Sequence, residues 1–118
     1  MPIDRNPAYL ADILDAAKTI QEYVRGTDWA AFQTDNLRRD AVMMRIIIIG
    51  EATKRLSDEF RQQHPEIPWQ QMAGMRDFLT HDYDKVIVER IWDTATQSIP
   101  ALIAQLEPLV PTKEEDKD

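Results

Sequence analysis

From Leu37 to Phe60, apolar residues recur at Leu37, Ala41, Met44, Ile48, Ala52, Leu56 and Phe60, in steps of three and four held for about six helical turns. A strand repeats every two residues, so this period commits the middle of the chain to one long helix. Inside it stand four consecutive isoleucines, Ile46 to Ile49. Their β preference amounts to less than about 1 kcal/mol per residue and yields to the flanking period. The stretch is apolar around its whole circumference, beside the small Gly50, which demands contacts on more than one side. A seam with a second copy of the chain, a homodimer, supplies the second contact.

The other elements follow from caps and breakers. Asn6-Pro7 reads as a helix start, with Asn6 as the cap and Pro7 at the first helical position. Leu10, Ile13, Leu14, Ala17, Ile20 and Val24 then repeat at helical spacing to about Arg25, and Gly26 is the stop. His64-Pro65-Glu66-Ile67-Pro68-Trp69 must be irregular, because each proline lacks a donor and pushes its predecessor out of the helical region. A short helix from Trp69 carries Met72, Met75, Phe78 and Leu79 inward and leaves Arg76, Asp77 and Thr80 less committed to the core. A last helix, capped by Asp84 and kinked at Pro100, turns Val88, Ile91, Trp92, Ala95, Ile99, Leu102, Ile103 and Leu106 inward. The expectation is an all-α, antiparallel bundle of four to five helices over residues 1–110, followed by a charged, disordered tail over 111–118.

Composition bounds the chemistry. A chain of 118 residues buries a core as one domain, and the absence of cysteine removes thiol catalysis, thiolate metal sites and disulfides, which suits a reducing cytoplasm. The start of the chain resembles no signal or transit peptide, and no apolar run approaches the roughly 20 residues of a bilayer span, so no membrane is expected. A formal net charge of -7 opposes charge-driven binding of nucleic acid. RNA would have to meet a local cluster, for which Arg38, Arg39, Arg45, Lys54, Arg55 and Arg76 are the candidates.

The densest chemistry lies in Met75-Arg76-Asp77-Phe78-Leu79-Thr80-His81-Asp82-Tyr83. Asp77 and His81, four apart, share a helical face, so the carboxylate could hold the imidazole in one tautomer. Arg76, Thr80 and Tyr83 form a neighbouring row. Arg76 and His81, five apart, diverge by about 140° on an ideal helix, so either the helix ends before His81 or a second subunit completes the site. Such a set suits metal-free RNA cleavage, with His81 moving a proton and Arg76 stabilising charge on the phosphoryl oxygens. From spacing alone, ordinary ion pairs on a helix surface are the commoner explanation of such a set. His64 suits a turn, and the three tryptophans, Trp29, Trp69 and Trp92, suit core or interface anchors. Two histidines without H-E-x-x-H give no metal-ligand pattern, although Asp82 and Asp84 could bind a cation weakly. Gly26, Gly50 and Gly74 form no phosphate-cradling loop, so neither a metal nor a cofactor is expected.

Gly50-Glu51-Ala52 leading to Leu56-Ser57, then the His64 to Trp69 segment, Gly74-Met75-Arg76-Asp77, His81-Asp82-Tyr83, and Trp92 ahead of Ile99-Pro100 resemble the HepT-like branch of the HEPN superfamily. The likeness spans about residues 6 to 108, and Arg76, His81 and Tyr83 satisfy the family's R-x4-H-x-Y signature in order. It implies a helical bundle that dimerises with its motifs facing each other, and a metal-independent endoribonuclease toxin acting on transfer or messenger RNA. In that reading Arg76 and His81 are catalytic, and Asp77 and Thr80 support them. It further implies a partner antitoxin of the minimal nucleotidyltransferase (MNT) kind, which silences the toxin by transferring AMP onto Tyr83. The residue after the arginine is often asparagine in this branch and is Asp77 here, an added negative charge beside a phosphate site. A second implied role is that of a non-catalytic helical subunit that binds and orients a nucleotidyltransferase.

Overall fold

A computed structural model describes residues 3–111. The charged tail expected over 111–118 lies, Pro111 apart, outside the described residues. The described chain is helical and without strands: α1 (Asn6–Val24), α2 (Trp29–Phe32), α3 (Asn36–Arg55), α4 (Asp58–Gln63), α5 (Trp69–His81), α6 (Val88–Asp93) and α7 (Ile99–Leu106). Helix α3 is the hub, packed on α1 along one side and on α5 along another, while α7 closes against α1. The buried interior joins Leu10, Ile13 and Ile20 of α1, Val42, Ile46 and Ile49 of α3, Leu79 of α5, and Leu102 and Leu106 of α7.

Several expectations are corrected in detail. The expected row faces the core only at its far end, where Ala52 and Leu56 are buried; Leu37 is 83% and Met44 56% exposed, and Ala41 and Ile48 are half-buried. The inward row is Val42, Ile46, Ile49, Thr53 and Leu56. Helix α3 carries two apolar stripes, and spacing cannot tell which one meets the rest of the chain. Nor does the helix run on to Phe60. Leu56 and Ser57 are extended, and the Ser57 hydroxyl caps α4 by accepting the Phe60 N–H at 3.1 Å, with Asp58 and Glu59 in the first turn. Asn6 is the first residue of α1 and caps nothing there. Its side-chain amide is drawn to the α3–α4 break, where it accepts the Ser57 N–H and donates to the Ser57 Oγ, both at 3.1 Å. Because that one hydroxyl serves both α4 and the start of α1, Ser57→Ala is expected to cost about 1 kcal/mol. Thermal melting should show a midpoint several degrees lower.

The remaining segments are tied down by particular contacts. Gly26 has a φ of 75°, the left-handed turn that stops α1. In the turn before α5, Ile67 and Trp69 are buried, the Trp69 indole donates to the His64 carbonyl at 2.9 Å, and the His64 ring lies 4.6 Å from that of Phe60. Trp92 packs 5.0 Å from Phe32 and 6.4 Å from Trp29, pinning α2 to α6. Asp84 does not cap the last helix; it lies in a 3-10 turn, Tyr83–Lys85, and α6 starts after Ile87 with no side-chain cap. The break expected at Pro100 takes the form of a π turn over Thr94–Ser98, in which the Ile99 N–H reaches back five residues to Thr94. A proline ring collides with the carbonyl four residues earlier, and the wider turn just ahead of it relieves that crowding.

Candidate active site

Helix α5 delivers Arg76 to α3 at a single point. An added Cβ at Gly50 would fall 2.1 Å from the Arg76 Cβ and 2.9 Å from the Met72 carbonyl oxygen, so the two helices cross with no side chain between them. Arg76 is therefore more committed than its place in the pattern suggested. Its Nε donates to Glu51 Oε1 at 2.7 Å, its Nη2 donates to the same oxygen, and its Nη1 donates to Asp77 Oδ1 at 3.0 Å. Lys54 Nζ donates to the same Asp77 oxygen at 2.5 Å. Two cations and two carboxylates thus form one neutral cluster along the α3–α5 edge. The negative charge of Asp77, expected to burden the site, is matched by Lys54.

These contacts move the titrations in the expected senses. Arg76 is held above its ordinary value, first by the hydrogen bond to Glu51 and then by that to Asp77. Asp77 is held below its ordinary value, first by Lys54 and then by Arg76. A carboxyl depressed in the folded state stabilises the fold fully above its unfolded value of about 4. That contribution disappears as pH falls through the lower folded value. Wild type should therefore melt above Asp77→Asn at pH 7, by a margin that narrows in high salt and closes on acidification below about pH 4.

The Asp77 carboxylate, engaged by Arg76 and Lys54, does not hold His81. The imidazole Nδ1 instead lies 2.9 Å from the Asp77 backbone carbonyl and 3.0 Å from the Thr80 hydroxyl, which itself lies 3.0 Å from the Arg76 carbonyl. A carbonyl only accepts, so in the neutral ring Nδ1 carries the hydrogen and Nε2 keeps its lone pair. The ring is exposed. Thr80 acts here through its hydroxyl, at the last turn of the helix. Helix α5 continues through His81, so the first alternative for the geometry, an earlier helix end, is not what the chain does. Arg76 and His81 both lie on α5, and a regular helix sets residues five apart about 140° round the axis and about 7.5 Å along it.

Tyr83 does not extend the row of Arg76 and Thr80. It sits past the helix end in the 3-10 turn, 69% exposed, beside a cleft of about 440 Å³ lined by Arg39, Asp40, Met43, Asp84 and Val86. The chain turns at Asp82, and that turn sends the phenol toward α3. The candidate cations do not merge into one patch. Arg38 is held by Asp35 and the Tyr23 carbonyl, Arg39 by Asp40, and Lys54 and Arg76 by the cluster above. Among the described residues, Arg45 and Arg55 have no ion-pair partner, and no group of three or more His, Asp or Glu is placed to hold a metal ion. Glu51 is the site residue that sequence reasoning missed. It is 25 positions from Arg76, and only the crossing at Gly50 brings them together.

An all-helical bundle with an arginine and a histidine on one helix and a tyrosine just past its end fits the HEPN superfamily. Comparison with known proteins narrows this. The family described as Ribonuclease HepT-like matches residues 13–109. A protein of Thermococcus cleftensis named "Probable ribonuclease HepT" is 42% identical over 101 residues, 86% of this chain and 92% of the relative. A candidate RNase of Caldanaerobacter subterraneus subsp. tengcongensis is 38% identical over 102 residues, 86% of this chain and 91% of the relative. One from Methanocaldococcus jannaschii is 33% identical over 115 residues, covering 98% of this chain and 99% of its own length. No solved structure matches the chain significantly. The chain belongs to the Ribonuclease HepT-like family.

Proposed function

We propose that this protein is a metal-independent endoribonuclease toxin that acts as a homodimer in the cytoplasm. The observation that carries the reading is His81: its Nδ1 is spoken for by the Asp77 carbonyl, leaving Nε2 open to solvent at the end of the helix that also holds the paired, permanently charged Arg76. Nε2 takes the proton of a ribose 2′-hydroxyl, and that oxygen attacks the adjacent phosphorus. The bond from phosphorus to the 5′-oxygen breaks, and the departing oxygen takes a proton from a second copy's protonated imidazole or from water. Arg76 stabilises the charge that gathers on the phosphoryl oxygens. The products are a 2′,3′-cyclic phosphate and a 5′-hydroxyl.

The divergence of Arg76 and His81 supports a site shared between two chains. Leu37 and Met44, exposed on the side of α3 that also carries the half-buried Ala41 and Ile48 and borders Glu51, support a seam on that side. Names of relatives as ribonucleases support RNA as the substrate. The net charge of -7 and the pairing of most candidate cations favour a second reading, a non-catalytic subunit that binds a nucleotidyltransferase. Cleavage of RNA by the isolated protein, undiminished by excess EDTA, separates the two. Absence of any cleavage selects the second, and loss in EDTA with recovery in magnesium refutes the metal-free mechanism.

Silencing by an MNT-type antitoxin through AMP on Tyr83 fits the exposure of the phenol. In one chain the phosphate of such an adduct meets Arg39 in the adjoining cleft rather than Arg76, and adds bulk and negative charge two residues from His81. Incubation with the nucleotidyltransferase, ATP and magnesium should add AMP to intact mass and stop cleavage. A Tyr83→Phe chain that is still modified and silenced would remove Tyr83 from the mechanism.

A further inference from the structure

We infer that Glu51 is a positioning residue for Arg76, fixing which edge of the guanidinium is offered to substrate. A guanidinium is planar, with one N–H on Nε and two on each terminal nitrogen. Glu51 Oε1 takes the Nε hydrogen and one from Nη2, while Asp77 takes one from Nη1. One donor on each terminal nitrogen is left, and a phosphate accepts such a pair side by side. Arginine is long and flexible, and its donors are worth most when they are already aimed at the place where charge develops. Here both ends of the side chain are referred to α3: the Arg76 Cβ rests over Gly50, and the tip is held by the next residue, Glu51. Glu51 does not touch the reacting atoms in this arrangement and acts only through Arg76.

The inference rests on the ribonuclease reading for its activity measurement, and a second measurement frees it from that reading. Cleavage of a labelled single-stranded RNA by the full chain is followed with kcat and KM resolved, for wild type, Glu51→Gln and Glu51→Ala. In parallel, NMR follows water exchange of the Arg76 Nε–H, assigned by its absence in Arg76→Lys. Loss of Glu51 should lower kcat by about 100-fold, the usual effect of a misplaced catalytic group, with KM little changed. Glu51→Gln keeps an accepting oxygen and should fall between. The Nε–H should exchange slowly in wild type and rapidly in Glu51→Ala. If Glu51→Ala does not fold, Glu51→Gln carries both measurements, with smaller changes in the same directions. Unchanged kcat, a rise in kcat that marks Glu51 as an occluding competitor, or identical exchange overturns the inference. If wild type cleaves no RNA, the ribonuclease reading falls and the exchange measurement alone decides whether Glu51 positions Arg76.

Discussion

Arg76→Ala and His81→Ala are each expected to lose RNA cleavage by about two to four orders of magnitude, the range for removing a positioned proton carrier or charge stabiliser. Both chains should stay folded. The His81 ring is exposed, and alanine at 76 keeps the Cβ that seats on Gly50. Mixing the two inactive chains then reads out the architecture. If each site takes its arginine from one chain and its histidine from the other, half of the dimers are mixed and one of their two sites is intact, restoring about a quarter of wild-type activity. If each chain holds a whole site, nothing returns. Recovery on mixing, combined with the regular course of α5 through His81, would make the dimer seam part of the catalytic machinery. A fully active monomer in light scattering would defeat the shared site.

Gly50→Ala is expected to be the most damaging small substitution in the fold. The new methyl would stand 2.9 Å from the Met72 carbonyl oxygen and much closer still to the Arg76 Cβ, and neither is a flexible tip that can swing aside. Helix α5 must move off α3, at a cost of about 1–3 kcal/mol or more. A shift of even about 1 Å at Arg76 should lower cleavage roughly 100-fold. Gly74→Ala is the matched control. On α5 at Gly74 an added Cβ meets nothing within 4 Å, so alanine there should stabilise the helix by roughly 0.5–1 kcal/mol. Denaturant titration of both variants checks the contrast, and a Gly50→Ala chain as stable as wild type would mean that the helices do not meet at this point.

Much of the candidate site was legible because it is local. Arg76, Asp77, Thr80, His81 and Tyr83 lie within eight positions, and the first four keep helical spacing along α5. Their partners were not legible in the same way. The expected contact of the Asp77 carboxylate with His81 rested on an isolated helix, where four residues make neighbours. In the fold, Lys54 and Arg76 offer that carboxylate full charges, and the imidazole takes a backbone carbonyl instead. The place of Tyr83 was missed because helical spacing no longer applies once the chain turns at Asp82.

The sequence by itself determined the all-helical class, the turn at His64 to Trp69, the stop at Gly26 and the break near Pro100, because periodicity, proline and glycine act on the backbone within a few residues. It also carried a cap that went unread, since Ser57-Asp58-Glu59 is a helix start in its own right. Only the tertiary structure decided which stripe of α3 is core. A helix apolar on two faces satisfies the same spacing either way, and the choice is made by whichever face α1 and α5 can cover. The same packing decided the state of Arg76. Gly50 and Glu51 stand far from it along the chain, and the close crossing of two helices, which no local pattern encodes, turns a surface arginine into one held at both ends.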